Sequence, residues 1–473
     1  MIRLKLAIIG GAGIRTPAIV QGLIRRHRDI PVEQLTIHDI DTERIETIGA
    51  IVQYLAQKQR APFNITWTSD ILKAVQNADF IYTAIRVGGE EGRTVDERVP
   101  LSYGVLGQET TGPGGFAMAL RTIPVMLEYA DVIEKTAPNA WVVNFTNPAG
   151  LITEALRKFT RLKAIGICDA PSSLKLDIAK FLNKPADSVH VRYFGLNHLG
   201  WIDRVIADGA DRLPEIIEHY ENFTEVCPHM ACFPPALVRQ LNMIPNEYLY
   251  YYYFREQAVS NMIANKRTRG EQISELNRRL MEELKQKLKR AEIEKAFHSY
   301  CAIVAERQNS YMAAETGRAA AKSPNPKMPQ PSQKESGFTE NEGYADLAMS
   351  VMASIVNDRT TCLILNVPNQ GAIEGMRHDD IVEVPCLLDR NGPVPLAVGT
   401  LPDTVKGLVQ SVKQYERLTV SAAVHGSYED ALMALTVPPL VCSYPLAKRI
   451  LDDYLVQHER YLPQFKKRGT VHA

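Results

Sequence analysis

The stretch Lys5-Leu-Ala-Ile-Ile-Gly-Gly-Ala-Gly13 constrains this chain more than any other. A continuous apolar run ends there in clustered glycines and is followed by Thr16 to Arg26, which reads as a helix. Gln34 to Asp39 supplies the next strand and completes a β-α-β unit. In such a unit Gly10, Gly11 and Gly13 let the backbone approach a pyrophosphate, whose charge the helix N-terminus favours. Asp39 closes the second strand, where a carboxylate accepts from ribose hydroxyls and repels a 2′-phosphate, so the expected cofactor is NAD rather than NADP. The plain alternative is a tight turn followed by a solvent-facing aspartate.

Ala78 to Ala84, Ala140 to Asn144 and Lys163 to Cys168 read as later strands, each closed by polar residues or glycine where such sheets place their ligands. The expected fold is therefore α/β, with an N-terminal Rossmann-like parallel sheet over residues 1–170 and a C-terminal α+β domain over residues 171–473. In the second part Glu271 to Glu306 predicts one long amphipathic helix, Tyr344 to Val356 another, Thr361 to Asn366 a strand, and the remainder a helical region. Pro324, Pro326, Pro329 and Pro331 mark residues 318–342 as an extended or disordered surface insert.

Lysine plus arginine and aspartate plus glutamate are equal at 54 each, so no global field collects nucleic acid or an anionic membrane. An anionic ligand must be met by local arginines. The apolar run Leu4 to Gly13 is too short to span a bilayer, no other stretch reaches membrane length, and no export signal is read. Seven scattered cysteines then predict reduced thiols and a cytoplasmic protein. Cys227 and Cys232, with His229 between them, raise a zinc reading, but no second pair follows at finger spacing and they read as ordinary loop residues.

Ile85-Arg86-Val-Gly-Gly89-Glu-Glu-Gly-Arg93 and Gly107-Gln108-Glu109-Thr110-Thr111-Gly112-Pro113-Gly114-Gly115 carry too many glycines and charges for a core. With Asn144-Phe-Thr-Asn147-Pro148, Gly166-Ile-Cys168, Gly195-Leu-Asn197-His198, Tyr248-Leu-Tyr-Tyr-Tyr, Thr268-Arg269 and Asn366-Val-Pro-Asn369, they run in order over nearly the whole chain. This series resembles the family 4 glycoside hydrolases, NAD- and metal-dependent glycosidases, and most of all their 6-phospho-β-glucosidases. That family stands outside the usual two-carboxylate mechanism.

The resemblance implies that Cys168 and His198 hold a divalent ion, usually manganese, against the substrate's 2- and 3-hydroxyls. NAD then removes hydride from C3, the ketone acidifies the C2 proton, a tyrosinate takes it, and the C1 substituent leaves by elimination. Water adds back and the hydride returns. Tyr248 is the implied base, and Tyr250 to Tyr253 read as aromatic packing. Arg86 and Arg269 are implied to cradle the 6-phosphate, and Asn147 and Asn197 to contact the sugar. The implied assembly is a homodimer or homotetramer.

Two departures bear on specificity. Asp169 follows the ligand cysteine where the β-type enzymes commonly carry asparagine and the α-type aspartate, which can serve as the acid for the leaving oxygen. The Asn-Phe-Thr-Asn-Pro and Ile-Arg-Val-Gly-Gly strings favour the β-type. The family's Arg-Gly-Gly-Ala-x-Tyr-Ser string is reduced to Asn341-Glu-Gly-Tyr344-Ala. Alternatives are the same mechanism on unphosphorylated or α-linked glucosides, an NAD-dependent sugar dehydrogenase, which would accumulate NADH, and a non-catalytic sugar-nucleotide sensor.

Overall fold

A computed structural model of the chain describes residues 3–309, 312–317 and 343–466. Six strands from the first part pair in parallel: β1 (Leu4–Ile9), β2 (Val32–His38), β3 (Asn64–Thr68), β4 (Phe80–Thr83), β5 (Trp141–Asn144) and β6 (Lys163–Gly166). The inner strands are apolar on both faces, as a sheet covered by helices on each side requires, with Leu6, Ile8, Ile37, Ile81, Val143 and Ile165 all buried, whereas the edge strand β3 is polar and largely exposed. β7 (His190–Leu196) and β8 (Leu199–Ala207) form an antiparallel hairpin, extended by the short β9 (Ala210–Asp211) and β10 (Ile244–Pro245).

β11 (Thr361–Pro368), β12 (Ile381–Asp389) and β13 (Gly392–Pro395) then return to the first sheet as an antiparallel extension, giving the order β13-β12-β11-β6-β5-β4-β1-β2-β3. The seam is the pairing of Asn366 with Gly166. A Cβ on Gly166 would lie 2.4 Å from Thr153 Oγ1 and 2.7 Å from Asn366 Cβ, so only glycine admits this approach. The strand order reverses at the β1–β4 boundary, the crevice where open α/β sheets bind ligands.

The long helix expected over Glu271 to Glu306 is two helices, Arg269–Lys289 and Ile293–Asn309. The break is a Schellman turn. Ala291 takes the left-handed region at φ 57°, its N–H bonds Leu288 O, and Glu292 N–H bonds Lys287 O at 2.9 Å. With alanine in place of the usual glycine, the helical pattern runs through the stop without a signal. The second helix folds back so that Phe297, Tyr300 and Ile303 join Leu276, Leu280 and Leu284 in the core. The strand pair β12–β13 lies in what reads as a helical region; its alternation is masked because both faces of β12 are largely buried. The helix Gly343–Asn357 is present as expected, while the proline-rich stretch 318–342 lies outside the described residues. Among the described residues no helix is long and apolar enough to cross a membrane.

Candidate functional site

β1 ends on Gly10 at φ 84°, and the N–H groups of Gly10 and Gly11 both donate to His38 O, at 2.9 and 2.8 Å. A Cβ would lie 2.5 Å from Ala84 O at Gly10 and 2.1 Å from Ile37 Cγ2 at Gly11, so both positions demand glycine. At Gly13 the nearest atom is 3.4 Å away. Asp39 sits beside this turn, with Oδ2 accepting from Ala12 N at 3.0 Å and Oδ1 from Asp41 N at 3.1 Å. No side chain caps the helix Thr16–Arg25 that follows. Bare glycine backbone, an uncapped helix start and a carboxylate closing β2 fit a dinucleotide. Tyr300, from the folded-back helix, donates to Ile14 O at 2.5 Å and roofs the turn, a contact that sequence spacing does not reveal.

At the other strand ends, Cys168 follows β6 as the N-cap of the helix Asp169–Phe181, whose first residue is Asp169. Burial, Glu383 and Asp169 push the Cys168 thiol well above its ordinary value. Such a thiol would give up its proton only beside a bound cation. His198 occupies the turn between β7 and β8 at φ 61°, next to Asn197. Its Nδ1 lies 3.0 Å from Thr110 Oγ1, whose own hydrogen goes to Gln108 Oε1 at 3.0 Å. Thr110 must therefore accept from Nδ1–H, which leaves the Nε2 lone pair for a metal. Burial lowers the His198 pKa to about 4, so the imidazole is neutral at pH 7.

Tyr248 lies face to face with His198, ring centroids 3.7 Å apart and planes 1° from parallel. The other tyrosines of the cluster pack. Tyr250 stacks on Phe254 at 5.3 Å, Tyr253 accepts from Trp201 Nε1 at 3.2 Å, and burial raises the phenols of Tyr251, Tyr252 and Tyr253. Tyr252 also lines a cavity with Pro148, Asn197, His198 and Glu416. Asn147 is joined to Pro148 by a cis bond, and three residues earlier the buried Asn144 carboxamide takes Thr83 Oγ1 and Thr146 N and gives to Thr153 Oγ1.

The arginines converge on a carboxylate. Arg86 Nη2 and Arg93 Nη1 reach Glu109 Oε2 at 2.6 and 2.9 Å and hold it, against burial, well below the usual carboxylate range. Arg269 opens the helix Arg269–Lys289 under a capping box of Thr268 and Glu271, and donates to Arg307 O at 2.9 Å. Burial, offset by Glu315, lowers its pKa, and Arg93 and Glu109 are among its other charged neighbours. Burial and the adjacent Arg15 push Arg307 down to about 9. Crowded, buried guanidinium groups of this kind favour an added anion.

Sequence reading missed Glu383 on β12. Its carboxylate accepts from Asn366 Nδ2 at 2.8 Å, Asn197 Nδ2 at 3.3 Å and Tyr193 Oη at 3.0 Å, and burial pushes it up to about 7. Its one signal was a lone glutamate inside the apolar run Ile381 to Cys386.

The family description "Family 4 glycosyl hydrolase" matches residues 5–184, and "Family 4 glycosyl hydrolase C-terminal domain" matches residues 193–441. The chain is 38% identical to the "Probable 6-phospho-beta-glucosidase" of Bacillus subtilis (strain 168), over 98% of each chain. It is 31% identical to the 6-phospho-beta-glucosidase of Escherichia coli (strain K12), over 98% of this chain and 97% of that one. Among solved structures it is similar to the 6-phospho-beta glucosidase of Thermotoga maritima with NAD and glucose-6-phosphate, at a TM-score of 0.79 and 29% identity over 97% of this chain and 99% of that one. A 6-phospho-alpha-glucosidase from gut microorganisms in complex with NAD and Mn2+ gives a TM-score of 0.80 at 28% identity, over 98% of this chain and 100% of that one. With both halves matched and its relatives covered almost end to end, this chain belongs to the family 4 glycosyl hydrolases.

Proposed function

We propose that this enzyme hydrolyses 6-phospho-β-glucosides with the help of NAD and a divalent metal ion, manganese by preference. The observation that carries the reading is the stacked pair of a neutral His198, anchored through Nδ1 by Thr110, and Tyr248. Gly10, Gly11, Gly13 and Asp39 would hold NAD, and Cys168 and His198 the metal. Once bound, the two supply reversible oxidation at the sugar's third carbon and polarisation of the carbonyl formed there. Tyr248 takes the proton from the neighbouring second carbon as general base. Asp169, at the first turn of its helix, gives a proton to the leaving oxygen. Arg86 and Arg269 fix the 6-phosphate, and Asn147 and Asn197 hold sugar hydroxyls, so that the proton to be moved faces Tyr248.

The relatives at 38% and 31% identity are named as β-glucosidases and support that anomer. Asp169 favours a second reading, the same chemistry on α-linked 6-phosphoglucosides. Aryl α- and β-glucosides, with and without the 6-phosphate, separate these readings when assayed with NAD, manganese and a thiol reductant. The β-linked phosphate ester is expected to turn over fastest, without net NADH. Preference for the unphosphorylated sugar would remove the phosphate pocket from the proposal, and accumulating NADH would make the protein a dehydrogenase. Arg86→Ala and Arg269→Ala should each raise KM for the phosphorylated substrate about ten- to a hundredfold, since a charge-assisted contact contributes about 1.5–3 kcal/mol.

A reducing cytoplasm suits a thiolate ligand such as Cys168. Assembly as a homodimer or homotetramer is proposed through the β13 edge, unpaired among the described residues, with the nearby Leu387, Val394 and Leu396 exposed. Light scattering of the purified protein tests it, and a monomer at working concentration would refute it.

A further inference from the structure

Away from the sugar site, three side chains of ligand type meet from two distant parts of the chain. Asp177 lies on the helix Asp169–Phe181, two turns beyond Cys168 and Asp169, while Cys227 and His229 flank the start of the short turn Pro228–Cys232. Cys227 Sγ is 3.3 Å from Asp177 Oδ2, and 3.4 and 3.6 Å from the two ring nitrogens of His229. One donor atom from each residue lies within 4.8 Å of the others. Bonds of about 2.0–2.3 Å to a tetrahedral ion put its ligand atoms roughly 3.3–3.8 Å apart, so this spacing already approaches a coordination sphere.

The surroundings point the same way. Lys180 Nζ holds Asp177 Oδ1 at 2.8 Å and leaves Oδ2 turned to the sulfur, as an outer partner orients a monodentate carboxylate ligand. Glu247 supplies an independent observation: it is buried and its Oε2 has no hydrogen-bond partner. Cys227 and Asp177 are both among its electrostatic neighbours. A simple hydrogen bond from the Cys227 thiol to Asp177 satisfies those two groups and leaves Glu247 stranded. A divalent cation among the three ligand atoms would give the sulfur, Asp177 and the nearby Glu247 a shared positive partner.

We propose that Asp177, Cys227 and His229 form a zinc site separate from Cys168 and His198, with water in the fourth position and Glu247 as the buried counter-charge. Mixed S, N and O donors suit zinc better than manganese or magnesium. Its role is to clamp the helix that begins with Cys168 and Asp169 onto the turn that precedes the tyrosine cluster. The site is thus a positioning device and takes no part in the reaction.

The test uses the full chain carrying Cys168→Ser, which disables the sugar-side site. After zinc loading and desalting, elemental analysis should find one equivalent of zinc, and cobalt loading should give a thiolate charge-transfer absorption. Adding Cys227→Ser, or separately His229→Gln at a half-buried position that leaves the core untouched, should abolish both signals. No retained zinc in the Cys168→Ser protein overturns the site, as does zinc that persists in both double variants. Should Cys227→Ser fail to fold, His229→Gln alone decides. The readout is metal stoichiometry, so its failure leaves the reading of turnover standing, and the reverse.

Discussion

One ring contact distinguishes Tyr248 from four neighbours of the same chemistry. Its place at the head of the tyrosine string was legible in the sequence, but its contact with His198 was not. The partner, His198, comes from a hairpin turn 50 residues earlier, where it takes the left-handed conformation. Tyr248→Phe should keep NAD binding and metal content yet lower kcat by about a hundred- to ten-thousandfold, the usual worth of a positioned general base. Tyr252→Phe should stay within a few-fold of wild type. If Tyr252→Phe is the damaging change instead, the base belongs on the cavity-lining residue. Thr110 makes a second residue-scale prediction, because its hydroxyl sets the His198 tautomer. Thr110→Val should weaken manganese binding about 10–100-fold, read by metal titration of activity, with NAD affinity unchanged.

At the level of elements, the glycine string was legible as a strand, turn and helix, because short-range sterics alone dictate it. The three glycines are nevertheless unequal. Gly10 combines a left-handed φ with a Cβ position 2.5 Å from Ala84 O, whereas Gly13 has 3.4 Å of room. Gly10→Ala should therefore cost about 1–3 kcal/mol of local strain and abolish NAD binding, as followed by quenching of protein fluorescence. Gly13→Ala should fold with near wild-type stability. Equal loss at both positions would mean that the turn rearranges rather than resists. The helix break at Ala291 shows the opposite limit: helix-forming composition continues through it, and its stop is set by carbonyl capping and by the packing of Tyr300 over Ile14. Likewise, Cys227 and His229 read as loop residues because Asp177, which completes the cluster, lies fifty positions away.

The whole molecule is held by contacts that join its two ends. β1, β2, β4, β5 and β6 were legible as a parallel sheet, while β3, polar and largely exposed at its edge, was not, and the extension from residues 361–395 joins the sheet by a pairing across roughly two hundred residues, which periodicity cannot carry. A buried polar knot does the same for the helices. Asp96, from the helix Gly89–Ser102, receives both ends of the Arg121 guanidinium at 2.6 and 2.7 Å, and His458 Nε2 lies 2.8 Å from both Asp96 Oδ1 and Arg121 Nη1, so the C-terminal helices close over the glycine-rich strings. Both members of the ion pair are completely buried. Removing one partner strands the other charge, so Asp96→Asn should destabilise the fold by about 3–5 kcal/mol. Burial would raise the Asp96 carboxyl, but Arg121 and His458 outweigh it and hold it below its ordinary value. Its folded pKa is therefore depressed below the unfolded value of about 3.9, so the stabilisation is complete above that pH and is lost as pH falls through the folded value. Urea midpoints of wild type and Asp96→Asn should consequently lie far apart at about pH 6 and draw together below about pH 4. A gap that stays constant or widens on acidification would show that Asp96 does not carry its charge in the folded protein.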